Sequence, residues 1–330
     1  MADQRKNDAR TLSRYMAKLP ATVCDYLNYM SSAKNRSIET VIEYARNLNE
    51  FFIYIGSEKN LFPEETPDLS LISDDIIRGM SAVDAYAYLA YCSSVKRNSA
   101  ATRARKTVVI RQFFKYLTYH KMMFKENPMA GLELPKQNKK LPKFLTLEQS
   151  VELLDCVDGA NKERDYAILT LFLNCGMRLA ELVSLNYTDI KPDNSMVITG
   201  KGDKQRVVYL NDACVDALNN YMAVRPKDGV YDKYALFLSN RKRRISPKTV
   251  QHIVYVFLDK SGLGAQGLSV HKLRHTAATL MYRYGHVDVR TLKDVLGHES
   301  LDTTAIYTHV VAEQVKEAID SNPLSNVSKK

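Results

Sequence analysis

The sequence predicts a mostly α-helical chain of two domains, with one small β-hairpin in the second. Three observations carry that reading. Apolar residues recur at helical spacing through most of the chain, as in Ile38, Val41, Ile42, Ala45, Leu48, Phe52 and Ile55. Pro128, Gly131, Pro135 and Pro142 bracket a lysine-rich stretch that interrupts the pattern near the middle. Two short runs at 195–199 and 205–210 have strand character and flank Gly200-Lys201-Gly202-Asp203-Lys204, a turn composition. At 330 residues the chain is long enough for about two cores.

Taken in order, residues 1–20 are polar and basic and read as an N-terminal extension. Helices are expected over 21–33, 37–55, 83–97 and 101–121, with loop and a short helix over 57–82, where Pro63 and Pro67 fall. In the 101–121 helix an apolar stripe (Val109, Phe113, Leu117) is crowded by Arg103, Arg105, Lys106, Arg111 and Lys115. A charge run on a helix is usually a solvated face, but an excess of one sign with so few acids favours phosphate contact. The stretch 135–143, PKQNKKLPK, has four lysines and no acid, and reads as an extended linker lying against a polyanion, with Lys136, Lys139 and Lys140 its contacts. Thr146 is the expected N-cap of the next helix. A buried helix is expected to end at Asn174-Cys175-Gly176, where glycine permits a left-handed turn and sets Arg178 at the start of the following helix. Such an N-terminus attracts anions.

Composition narrows the class. The net charge of +10 points to a polyanionic partner. Five scattered cysteines (Cys24, Cys92, Cys156, Cys175, Cys214) form no C-x-x-C pair and read as reduced thiols rather than a disulfide framework or a zinc site. MADQRKNDAR is no secretory signal, and no apolar run approaches a membrane span, so a cytoplasmic protein is expected. His271 and His275 stand at metal-ligand spacing, but Lys272 and Arg274 lie between them and no Glu follows the first. A dication is poorly placed beside two fixed cations, so no metal is expected there. His275 is left to packing or capping.

The chemistry lies in a dispersed set: Arg178, Lys201, His271, Arg274, His298 and Tyr307. Two guanidiniums can fork the non-bridging oxygens of one phosphate. Two imidazoles can hold or move protons near neutral pH. A lysine can protonate a leaving alkoxide, and a tyrosine hydroxyl can attack phosphorus. On a helix, His271 and Arg274 share one face. Among twenty tyrosines a lone one is usually packing; Tyr307 is lifted by Gly297-His298 and by Thr303-Thr304-Ala305-Ile306 ahead of it.

The strings GMRLAEL (176–182), TGKGDKQRVVYL (199–210), LSVHKLRHTAAT (268–279) and LGHESLDTTAIYTHV (296–310) resemble those of the tyrosine recombinases, the phage-type integrases and Xer-like recombinases. The resemblance is strong over 144–310 and one of character over the preceding hundred residues. It implies a two-domain, C-shaped clamp: a helical core DNA-binding domain (21–134), a linker (135–143), a mixed α/β catalytic domain (144–310) and a C-terminal helix or tail (311–330). The short extension tilts the organisation towards Xer-like relatives. The resemblance carries the nucleophile onto Tyr307, the activating pair onto Arg178 and Arg274, the general acid onto Lys201, supporting roles onto His271 and His298, and site organisation onto Glu181.

The implied reaction is site-specific cleavage and rejoining of double-stranded DNA through a 3′-phosphotyrosyl bond, with no cofactor, metal or ATP. A second basic patch, Arg241-Lys242-Arg243-Arg244 with Lys248, stands beside Ser246-Pro247-Lys248-Thr249, which opens a helix, and this patch is expected to seat DNA. Val311, Val315, Ala318 and Ile319 form an apolar stripe that either closes onto its own domain or passes to a neighbouring protomer. The expected assembly is a dimer on one site and a tetramer at synapsis. The alternatives are a type IB topoisomerase-like relaxer of supercoils, a catalytically silent architectural DNA-binding protein and, more remotely, a metal-dependent nuclease, for which a carboxylate cluster is lacking.

Overall fold

The structure, a computed structural model, describes residues 2–62, 66–136, 143–200, 205–285 and 287–297. The chain divides into two compact units, Met1–Lys139 and Lys140–Lys330. Lys139, Lys140, Lys201, His298, Tyr307 and the 311–330 stripe lie outside the described residues.

The first unit is helical: α1 (Ala2–Met16), α2 (Ala21–Ser32), α3 (Ile38–Glu58), α4 (Asp74–Arg78), α5 (Ala82–Ser94) and α6 (Ala100–Tyr119). Serines set several starts. Ser73 and Ser99 accept from backbone N–H groups in the first turns of α4 and α6, and Ser81 with Asp84 closes a capping box on α5. The core is built from Val23 and Leu27 of α2, Leu48 and Phe52 of α3, and Phe113 and Leu117 of α6. Phe52 and Phe113 meet edge-on at 5.8 Å and 89°, the arrangement the ring quadrupole favours. The residues read as a basic extension form α1 instead, which packs along α3. Leu12, Tyr15 and Met16 reach the core at i, i+3 and i+4. Three apolar positions among so many charges are a weak periodic signal, and tertiary packing supplies what propensity does not.

The second unit contains α7 (Leu147–Asp155), α8 (Lys162–Cys175), α9 (Leu179–Ser184), β1 (Ser195–Thr199), β2 (Gln205–Tyr209), α10 (Asp212–Val224), α11 (Pro247–Lys260), α12 (Val270–Tyr284) and α13 (Val289–Leu296). Helix α8 is its centre, packed by α7, α10, α11 and α12, and buries Ile168, Leu169, Leu171 and Phe172. Thr146 and Gln149 form the capping box that opens α7. Strands β1 and β2 pair antiparallel with Val197 opposite Val207. Helix α8 ends on Gly176 at φ 57°, ψ 34°. A Cβ there would lie 2.7 Å from Leu296 Cδ2, so glycine serves both the left-handed turn and the approach of α13. Among the described residues no helix is long and apolar enough to cross a membrane.

Candidate functional site

Three chain segments meet at the C-terminal end of α13. The turn after α8 brings Arg178 to the N-cap of α9 in extended backbone, as the glycine pattern led one to expect. Helix α12 presents Arg274 from the other side, its side chain buried. The last carbonyls of a helix have no partner within it and carry the negative end of its dipole. Here the two arginines serve them: Arg274 Nη2 donates to Leu296 O at 2.6 Å and Arg178 Nη2 to Gly297 O at 2.7 Å. Arg274 Nη1 also donates to Gly176 O at 2.6 Å, closing the turn from which Arg178 starts. Two guanidiniums 96 positions apart in sequence thus sit side by side on adjacent carbonyls, immediately before His298.

Glu181 holds this arrangement from beneath. Its carboxylate is 2% exposed and accepts from the Arg178 backbone N–H and from Arg178 Nη1, both at 2.8 Å. A second guanidinium, Arg206 of β2, forks both its oxygens at 2.6 and 2.9 Å. Burial pushes the Glu181 carboxyl upward, but hydrogen bonds from Arg206 and from the backbone and side chain of Arg178, with the charge of Arg206, outweigh it and hold the group below the usual range. Arg206 Nε has no hydrogen-bond partner among the described residues.

His271 lies exposed one turn before Arg274 on α12, and His275 is half-buried one turn further along from it. Burial lowers the His275 pKa to about 4, with Lys272, Arg274 and His271 adding repulsion. The unfolded chain takes up that proton below about pH 6.5, whereas the folded chain refuses it until about pH 4. The unfolded state therefore binds more protons in this window, and stability falls as pH drops through it. Calorimetric Tm values taken from about pH 7 to about pH 5 should fall less steeply for His275→Asn than for the unchanged chain; equal slopes would assign the acid sensitivity elsewhere.

The basic residues separate into two groups. Arg105, Lys136, Arg241, Lys242, Arg243 and Lys248 are exposed, and Arg103 and Arg111 partly so. Lys106 is not on the surface: it is 4% exposed, and its ammonium donates to Glu50 Oε2 at 2.5 Å and Tyr88 Oη at 3.0 Å. A lysine compensated in this way belongs to the helical core and not to a phosphate-facing surface, which corrects its reading as a DNA contact. Arg244 is likewise tied down, donating to Val183 O, Leu185 O and Asn186 Oδ1 at 3.0, 2.8 and 2.6 Å. It buttresses the segment after α9 rather than presenting a free cation. Arg206 was missed by sequence reasoning, yet a signal existed. Strand β2 alternates, and Arg206 shares the inward face of buried Val208 while Gln205, Val207 and Tyr209 face out. An inward charge on a strand implies a buried partner of opposite sign.

Comparison with known proteins bears on the whole chain. Residues 143–314 match the family described as Phage integrase family, and residues 23–121 match the Phage integrase, N-terminal SAM-like domain. A tyrosine recombinase XerC from Caldanaerobacter subterraneus subsp. tengcongensis is 48% identical over 312 residues, covering 93% of this chain and 88% of the relative. A tyrosine recombinase XerC from Thermodesulfovibrio yellowstonii is 33% identical over 315 residues, covering 92% and 96%. The fold matches that of the XerH site-specific recombinase bound to a palindromic difH substrate in a post-cleavage complex, at TM-score 0.70 and 22% identity, over 95% of this chain and 94% of that one. Strand relaxation and a silent architectural role are not favoured by these relatives. The chain belongs to the phage integrase family and is a tyrosine site-specific recombinase.

Proposed function

We propose that this recombinase exchanges DNA strands at a specific double-stranded site by two phosphate transesterifications. The Tyr307 hydroxyl attacks the scissile phosphate. A 3′-phosphotyrosyl bond forms, the bond from phosphorus to the 5′ oxygen breaks, and Lys201 delivers the proton that makes this oxygen a free hydroxyl. Arg178 and Arg274 stabilise charge developing on the non-bridging oxygens. His271 assists removal of the tyrosine proton, and His298 donates a hydrogen bond to the phosphate. The covalent bond conserves the phosphodiester linkage, so a 5′-hydroxyl from another strand reverses the step without metal or ATP. The observation that carries this reading is the placing of Arg178 and Arg274 on adjacent carbonyls just before His298.

Exposed Arg105, Lys136, Arg241, Lys242, Arg243 and Lys248, joined by Arg103, Arg111 and the linker residues Lys139 and Lys140, supply the phosphate contacts that fix register on the duplex. The protein works in the cytoplasm, as a dimer on one site and a tetramer at synapsis. To test this, the protein is incubated with fragmented genomic DNA in EDTA, denatured with detergent, and its covalent adducts are recovered and sequenced. Two labelled copies of the recovered site are then offered together. Exchange of flanks between them supports the proposal; relaxation without exchange, or no adduct, contradicts it.

The 311–330 segment is proposed to pass its apolar stripe (Val311, Val315, Ala318, Ile319) to the neighbouring protomer. Deleting it retains Tyr307 and should leave binding of one protomer to a half-site intact, while abolishing the synaptic tetramer in gel-shift and light-scattering assays. A truncated chain that assembles and recombines like the full one would place the stripe on its own domain.

A further inference from the structure

The contacts of Arg206 close a ring that involves three separate segments. Its two terminal nitrogens fork Glu181 at 2.6 and 2.9 Å. Glu181 in turn accepts from the backbone and guanidinium of Arg178. Arg178 donates to Gly297 O at 2.7 Å. Gly297, in the left-handed region at φ 64°, packs back on Arg206, where an added Cβ would lie 3.0 Å from Nη1 and 3.1 Å from Cδ. Strand β2, the start of α9 and the turn leading to His298 are thereby joined through one guanidinium, whose side chain is 13% exposed.

Two consequences follow from charge and geometry. A buried Glu181 facing Arg178 alone would cancel the charge that a phosphate has to meet. With two arginines against one carboxylate, a net single positive charge remains at the cluster. In addition, a fork onto both oxygens fixes the carboxylate plane, and that plane fixes the direction of Arg178. We infer that Arg206 is a positioning residue for strand cleavage: it sets the aim and the effective charge of Arg178 through Glu181, and seats the Gly297 turn that precedes His298. The inference rests on the proposed role of Arg178 at the scissile phosphate. The charged and titratable groups facing this cluster include Arg178 ahead of α9, Arg206 on β2, Arg274 from α12 at the same turn, and the Cys175 thiol at the end of α8, which feels the Arg206 charge.

The test is single-turnover formation of the covalent adduct on a nicked suicide substrate carrying a recovered site. Arg206→Gln should lower the rate about 10–100-fold, the range found for partners that orient a site's own ligands, with DNA affinity unchanged. Removing Arg206 takes away the first of the influences that hold the Glu181 carboxyl down and leaves only the hydrogen bonds from Arg178 against burial, so the carboxyl moves up. The ratio of variant to unchanged rate should therefore change between about pH 7.5 and about pH 5.5, falling where the aim of Arg178 is the larger effect and rising where protonation of Glu181 restores its charge. Arg206→Lys keeps the charge without the fork, so it should be slow at every pH with a ratio that does not change. An Arg206→Gln rate within about twofold of normal at all pH, or a deficit independent of pH, would overturn the inference. Should the glutamine variant fail to fold, an Arg206→Lys rate equal to normal overturns it. If the unchanged protein itself forms no adduct, the proposed reaction fails and not the role of Arg206.

Discussion

Tyr307→Phe will bind its DNA site with normal affinity and form no covalent adduct. The substitution removes one oxygen and keeps the ring, so whatever packing the ring has is preserved while the proposed nucleophile is lost. A water or neighbouring hydroxyl attacking in its place would join no side chain to the DNA, so no adduct is expected from that route. Strand exchange falls below detection, and the shifted protein–DNA band in a native gel remains. Adduct formed at anything near the normal yield would remove Tyr307 from the nucleophile's role.

Lys201→Ala will cleave ordinary DNA slowly, by about 100–10,000-fold, the span of general acid catalysis. A 5′ alkoxide is a poor leaving group and needs its proton as the bond breaks. A substrate with sulfur in the 5′-bridging position expels a thiolate, which leaves without protonation, so most of the lost rate should return. The opposite outcome, equal loss on both substrates, moves the acid role to His271, exposed one turn from Arg274.

Local rules make much of the fold legible in the sequence. The Thr146 cap, the left-handed Gly176, the strands around 200–204 and the mostly helical first unit all rest on interactions within a few residues. The candidate site was legible in its residue types, since two arginines before and after a hairpin already suggested a shared phosphate. What could not be read was the destination of long side chains. Lys106 and Arg105 are neighbours on α6, but one turns into Glu50 and Tyr88 while the other stays outside. Arg244 stands in a run of four cations and alone ties down the loop after α9. Arg206 stands beside the glycine-lysine turn, and only strand alternation points it inward. In each case the deciding partner lies 25 or more positions away, beyond the reach of periodicity. Helix α1 escaped for a related reason, since its three apolar contacts take their meaning from α3.

The covalent bond itself is the most direct test of the central claim. The unchanged protein is trapped on a suicide substrate in EDTA, digested with protease and nuclease, and the nucleotide-bearing peptide sequenced by mass spectrometry. The account predicts one modified side chain, Tyr307, joined to a 3′ phosphate, with an unblocked 5′-hydroxyl on the released strand. A 5′-phosphate linkage, a modified residue other than Tyr307, or cleavage that leaves no protein–DNA bond would contradict it.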